Sequence, residues 1–193
     1  SLCHISSSIQ GHPDRERRAA AGVSLQNLAE SSDGLICLTG GRAGWMERAL
    51  RGGARQSARG YAERLATTFG RESVYLGLEL HGAGDEAVAH AIVALGNSLG
   101  LPAVAVRPVY CLSPDDAPYL KLLRAIDLNC TIDAVPAAAV PGGGDSAVDV
   151  HWLAPEEMFD RYAAFPDALG RTGEIAARCG PALPDGSPIW PVI

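Results

Sequence analysis

Lysine is nearly absent from this sequence. Lys121 is the only one in 193 residues, so arginine carries almost all of the basic charge. The cysteines lack any paired spacing: Cys3, Cys37, Cys111, Cys130 and Cys179 are scattered, with no C-x-x-C. That removes the ligand spacing of a structural zinc site, and the odd count points to reduced thiols. No apolar run approaches the roughly 18–20 residues that a membrane-spanning helix needs. The opening, SLCHISSSIQ, has no basic segment leading into an apolar one, so it does not read as a secretory signal. A cytoplasmic protein with no membrane partner is expected. The first residue is not Met, which suggests an excised fragment. G-x-G-x-x-G and the P-loop pattern are missing, as are His-x-His and any internal repeat, and no Ser or Cys stands in a nucleophile context.

Hydrophobic residues make up 47% of the chain and charged ones 20%, ordinary values for a globular domain with a sizeable core. The charge is uneven. Residues 1–72 hold ten Arg against seven acids, a balance of +3, and residues 73–193 hold six bases against fifteen acids, a balance of −9. Arg48, Arg51, Arg55 and Arg59 would form a basic edge near nucleic acid, or simply a solvated helix face. The overall charge of −6 argues against a stand-alone DNA binder.

The pattern of apolar residues predicts alternating strands and helices. GVSLQNLAESS reads as a short helix with Ser24 as its N-cap, and GLICLTGG (34–41) as a buried strand. WMERALRGG is a short helix stopped by Gly52 and Gly53. Residues 54–70 form a second helix, with Tyr61, Leu65 and Phe69 inward. SVYLGLEL (73–80) is a strand, 84–100 a helix ending at Gly100, and 101–111 another strand. The stretch 113–128 is a helix opened by Ser113 and Pro114. Strands alternating with helices imply a parallel sheet, and three strands are too few for a closed barrel. Residues 134–150, rich in Ala, Pro and Gly, read as a linker. Two helices follow, opened by Pro155 and Pro166, and the proline-rich tail 181–193 reads as irregular.

Candidate chemistry collects at LGLELHGAG. Glu79 and His81 lie two apart at a strand's end, and would share one face. Such strand ends carry the chemistry of α/β proteins. A catalytic metal needs three or more converging ligands, and few candidates join them. His90 lies inside a helix, His4 and His12 in a weakly structured start, and Asp149 and His151 beyond the α/β core. The next strand ends with Arg107, Pro108 and Tyr110, and brings no carboxylate or imidazole. A hydrogen-bonded His at a strand end is the plainer reading. LTGG (38–41) reads as a tight turn before it reads as a phosphate loop.

The segments SDGLICLTGGRAGWMERAL, VYLGLELHG, LGLPAVAVRPVYCLSPDDA, TIDAVP and LAPEEM…FPDALGRTGEIAARC occur in an order that resembles the bacterial DNA polymerase III α-subunit family. The resemblance covers nearly the whole chain. It falls on the C-terminal part of the PHP (polymerase and histidinol phosphatase) domain, up to the edge of the polymerase palm. SLCHISSSIQ resembles the family's helix that follows the first half of that domain. The Arg- and Ala-rich style suits an error-prone paralogue.

That resemblance implies a partial (β/α)7 barrel with parallel strands over 1–133, a linker at 134–150, and a helical segment over 151–193 leading to the palm. Family members bind divalent metals there and can act as phosphoesterases or proofreading exonucleases. The family's L-E-L-Q-x-H-G aligns with Leu76–Gly82, keeping His81 but placing Gly77 where the family has Glu. Its T-N-D-V-H-Y aligns with Val106–Cys111, placing Pro108 and Tyr110 where the family has ligand Asp and His. A degenerate, structural module without a cofactor is therefore expected. Its partners would be the palm and thumb, with DNA reached through the parent DNA-directed DNA polymerase. The other reading is a rebuilt phosphoesterase or 3'-5' exonuclease holding Mn, Zn or Mg. Glu79, His81 and Asp116 would be its ligands, and Arg107 would hold a phosphate.

Overall fold

The computed structural model describes residues 2–14, 17, 22–144 and 148–180. The tail read as irregular, 181–193, lies outside them. Among the described residues the chain is mixed α/β around a small parallel sheet. Helix α1 covers Leu2–Gln10, so the start is ordered where local composition suggested weak structure; none of its residues is buried. Helix α2 (Leu25–Ala29) begins at Ser24, whose hydroxyl accepts the Asn27 amide at 3.2 Å.

The sheet has strands β1 (Cys37–Leu38), β2 (Val74–Leu78) and β3 (Ala103–Ala105), in that order. All pairings are parallel, with Cys37 opposite Val74 and Gly77 opposite Val104. Each strand is shorter than the apolar run that contains it. β1 stops because the Thr39 hydroxyl, 2.9 Å away, accepts the Gly77 amide in place of a backbone carbonyl. The run at 101–111 serves two partners. Its first part pairs with β2, and its end turns away to meet residues 150–152, with the Tyr110 amide donating to Val150 O at 2.8 Å.

β2 is buried along its whole length, as a central parallel strand covered on both faces must be. Helices α3 (Trp45–Arg51), α4 (Arg55–Phe69) and α5 (Glu86–Leu99) supply much of that cover. Met46, Leu65, Val74, Leu76, Leu78 and Ile92 form the centre of the core. The inward face of α4 is Ala58, Ala62, Leu65 and Ala66, while Tyr61 and Phe69 are only half-buried. Small alanines let the helix approach closely, and the larger aromatics lie at its flank. α5 ends at Gly100, whose φ of 66° is the left-handed cap that glycine accepts most readily.

Helix α6 (Ala117–Asp127) follows a 3-10 turn in which Asp116 accepts the Ser113 amide at 3.0 Å. The described part of 134–150 is a chain of short 3-10 turns. Helix α7 (Pro155–Arg161) starts with the Ala154 amide on Glu157 Oε2 at 2.8 Å. Helix α8 (Pro166–Arg178) packs against β3. It is fastened by Arg171 donating to Ala103 O at 3.2 Å and by Arg178 to the Tyr75 hydroxyl at 2.6 Å.

Tyr162, just past α7, is buried to 1% exposure. Its hydroxyl lies 2.7 Å from Leu78 O and 3.1 Å from Val106 O, where β2 and β3 end. The Leu80 amide donates to it at 3.4 Å. Burial pushes this phenol up to about 12, so it stays a neutral donor at every physiological pH. Tyr162→Phe strands these groups in the core and should lower unfolding stability by about 1–3 kcal/mol in urea titration. An unchanged midpoint would remove the hydroxyl from any role in holding the strand ends.

Candidate functional site

The end of β2 runs straight into the candidate residues. Glu79 and His81 come together as their spacing predicts, with Glu79 Oε1 2.6 Å from His81 Nε2. The His81 side chain is 1% exposed. Its other ring nitrogen, Nδ1, lies 2.7 Å from Asp149 Oδ1. An ionised carboxylate only accepts hydrogen bonds, so an imidazole between two of them must donate from both nitrogens and be protonated. Burial pulls its pKa down, but the hydrogen bonds and charges of Glu79 and Asp149 outweigh that and raise it.

Asp149 corrects the sequence reading, which placed it beyond the α/β core. The chain returns after the 3-10 turns and sets this carboxylate against the tip of β2. Arg161 Nη1 is 2.9 Å from Asp149 Oδ2, and Arg107 Nη2 is 3.1 Å from Oδ1. Burial would raise the Asp149 pKa, yet His81, Arg161 and Arg107 hold it down at about 2. The end of β3 therefore contributes after all, through Arg107, which also donates to His151 O at 3.1 Å. Asp116 is not part of this group; its described hydrogen bonds go to Ser113.

A second layer lies on the other side of Glu79. The Arg42 amide donates to Glu79 Oε2 at 2.8 Å, so the Thr39–Gly44 turn presents this amide to a protein carboxylate. Gly41 is needed there because a Cβ would overlap the Glu79 side chain. Asp85 accepts the His81 amide at 2.9 Å and also pairs with Arg51 at 2.7 Å and Arg42 at 3.1 Å. Burial works against the Asp85 charge, but these donors keep its pKa low. Arg51 reaches Glu47 as well, at 2.6 Å. Glu47 is fully buried with Oε2 lacking a hydrogen-bond partner, and desolvation raises its pKa. Of the arginines that could form a basic edge, exposed Arg51 pairs with buried Glu47 and Asp85, and Arg59 pairs with Glu63 at 3.0 Å.

Beside these residues a cleft of about 690 Å³ is lined by Gly41, Arg42, Glu79, Arg107 and Tyr110, with Pro141–Gly143 on its far wall. Among the described residues, no group of three or more His, Cys, Asp or Glu side chains is arranged to hold a metal ion, and no helix is long and apolar enough to cross a membrane. Sequence reasoning missed Asp149, Arg161, Asp85 and Glu47. The one available signal was Asp149 two residues before His151, whose distance along the chain from His81 concealed its nearness in space.

No family model matches the chain. It is 33% identical over 164 residues, 82% of its length, to the error-prone DNA polymerase of Symbiobacterium thermophilum. It is 26% identical over 178 residues, 92% of its length, to DNA polymerase III subunit alpha of Bacillus subtilis, and 30% identical over 156 residues, 79% of its length, to that of Escherichia coli. The chain spans only 13–15% of the length of these relatives. It therefore resembles one segment of the bacterial DNA polymerase III α-subunit and of error-prone DNA polymerase.

The site's pH response has a definite sign. His81, with its raised pKa, contributes stability that is complete below its ordinary value of 6.5 and is lost as pH rises through the folded value. Asp149 contributes above 3.8 and loses its share as pH falls toward about 2. Urea midpoints should thus be highest between about pH 4 and 6.5. In His81→Gln the loss on the alkaline side should shrink. A variant that keeps the wild-type slope there would place the titration elsewhere.

Proposed function

We propose, from the relationship to a segment of DNA polymerase III α-subunit and error-prone DNA polymerase, that this chain is the C-terminal part of a PHP-type domain acting as a structural module. Its three parallel strands would be part of a (β/α)7 barrel within residues 1–133. Residues 134–150 would be the connection, and 151–193 would lead toward the palm. The parent would be a cytoplasmic DNA-directed DNA polymerase, with palm and thumb as neighbours and DNA as its template.

The observation that carries the structural reading is His81 with both ring nitrogens within 2.7 Å of carboxylate oxygens. An imidazolium has no lone pair for a cation. The neighbouring positions do not fit a metal cluster either. Gly77 offers no side chain, and a Cβ there would sit 2.5 Å from Gly40 O. Pro108 has no donor atom, and Tyr110 is an exposed phenol. Four carboxylates are instead balanced by arginines and His81, as in an internal ionic brace.

A second reading, a rebuilt metal-dependent phosphoesterase or exonuclease, draws on Glu79 and Arg107 lining the same cleft. Arg107 is already engaged with Asp149 and His151 O, which favours the brace. Hydrolysis of bis-p-nitrophenyl phosphate with Mn²⁺ or Zn²⁺, abolished by His81→Ala, would favour the enzyme.

Elemental analysis of the purified chain tests the proposal directly. Less than one tightly bound divalent ion per chain is expected; two or three would refute the brace. Gly77→Glu should cost about 2–4 kcal/mol in stability through its clash with the Gly40 carbonyl. It should also leave Mn²⁺ and Zn²⁺ binding unimproved by calorimetry. A stable variant that gains a tight metal site would show that one missing carboxylate was the whole defect.

A further inference from the structure

Helix α6 is amphipathic in the opposite sense from a helix at a domain surface. Tyr119, Leu122, Leu123 and Ile126 recur at i, i+3, i+4 and i+7, which places them on one stripe. That stripe faces solvent: the four are 62%, 44%, 60% and 68% exposed. The inward side carries buried Leu120 and Ala125, but also half-buried Lys121 and Arg124. Arg124 Nε is buried without a hydrogen-bond partner. A helix with no other neighbour would turn its four large apolar side chains inward and its bases outward. Contiguous exposed apolar surface of this kind marks an interaction site.

The charges around the stripe select the partner. Asp115 before the helix, Asp127 at its end and Asp133 in the following turn are all exposed. The bases of this stretch are Lys121 and Arg124, both on the half-buried side, and Arg124 is paired with Asp127. A second copy would bring an equally acidic face, on a chain of net charge −6. An anionic membrane surface is disfavoured by the same acids.

We propose that the outer face of α6 docks an amphipathic helix of another polypeptide segment, one with an aliphatic stripe flanked by Arg or Lys. Leu122, Leu123 and Ile126 supply the apolar contact, and exposed Asp115 and Asp133 set orientation and speed encounter. This goes beyond the brace reading, because it rests on α6 alone and not on the site around His81.

The test uses the whole 193-residue chain and two fluorescent synthetic peptides with the same leucine stripe, one flanked by Lys and Arg and the other by Glu. Fluorescence anisotropy should show the basic peptide binding at least about tenfold more tightly, with the preference shrinking in high salt. The double substitution Leu123→Asp and Ile126→Asp should reduce binding about tenfold or more. It should leave the thermal midpoint within about 2 °C, because both side chains are exposed. If that variant is unstable, Asp115→Lys with Asp133→Lys should weaken the basic peptide severalfold on an intact fold. Equal binding of the two peptides, binding of neither, or binding unaffected by these substitutions would overturn the proposal. So would a dimer, seen by sedimentation, that Leu123→Asp dissociates, since a second copy would then occupy the face.

Discussion

His81 lies between Glu79 and Asp149 at 2.6 and 2.7 Å, and only the protonated ring can donate to both. A buried cation must be balanced nearby, and each balancing carboxylate needs donors of its own. Glu79 finds the Arg42 amide, and Asp149 finds Arg161 and Arg107. The backbone joins in as well: Arg161 also donates to His81 O, and the His81 amide donates to Asp85. Removing one member leaves another buried and unmatched, so the strand tip, the Thr39–Gly44 turn and the end of α7 hold their positions together.

Tyr162 supplies the neutral counterpart of that ionic centre. The phenol, one residue beyond Arg161, binds the carbonyls of Leu78 and Val106 at the ends of β2 and β3, so the same stretch meets the sheet by charge and by hydrogen bond. The 150–178 region is thereby joined to the sheet at its tips and, through α8, along β3. A segment fixed at several points in this way suits a rigid spacer better than a hinge. The proposed module would transmit position instead of performing chemistry.

Much of the fold was legible locally. β-branched and leucine-rich runs between glycines marked the three strands, and proline, serine and glycine marked the helix ends at Ser24, Gly100, Pro155 and Pro166. Strand lengths were not, because a ladder ends where its partner leaves, as when Thr39 replaces backbone with side chain opposite Gly77. The inward face of α4 was also misjudged. Periodicity favours Tyr61 and Phe69 as large apolar residues, but close helix packing selected the alanines at 58, 62 and 66.

The pairing of Glu79 with His81 was determined by sequence alone, because residues two apart at a strand's end share a side whatever surrounds them. The lack of a side-chain donor at Gly77 and Pro108 was equally fixed by residue type. The use of the pair was decided by tertiary structure. Asp149 lies 68 residues from His81 along the chain, and only the returning backbone brings its carboxylate to the second ring nitrogen. Short-range pattern records which side chains share a face, and it carries no information about a charge that arrives from a distant loop. That arriving charge makes the imidazole a cation within an ionic cluster.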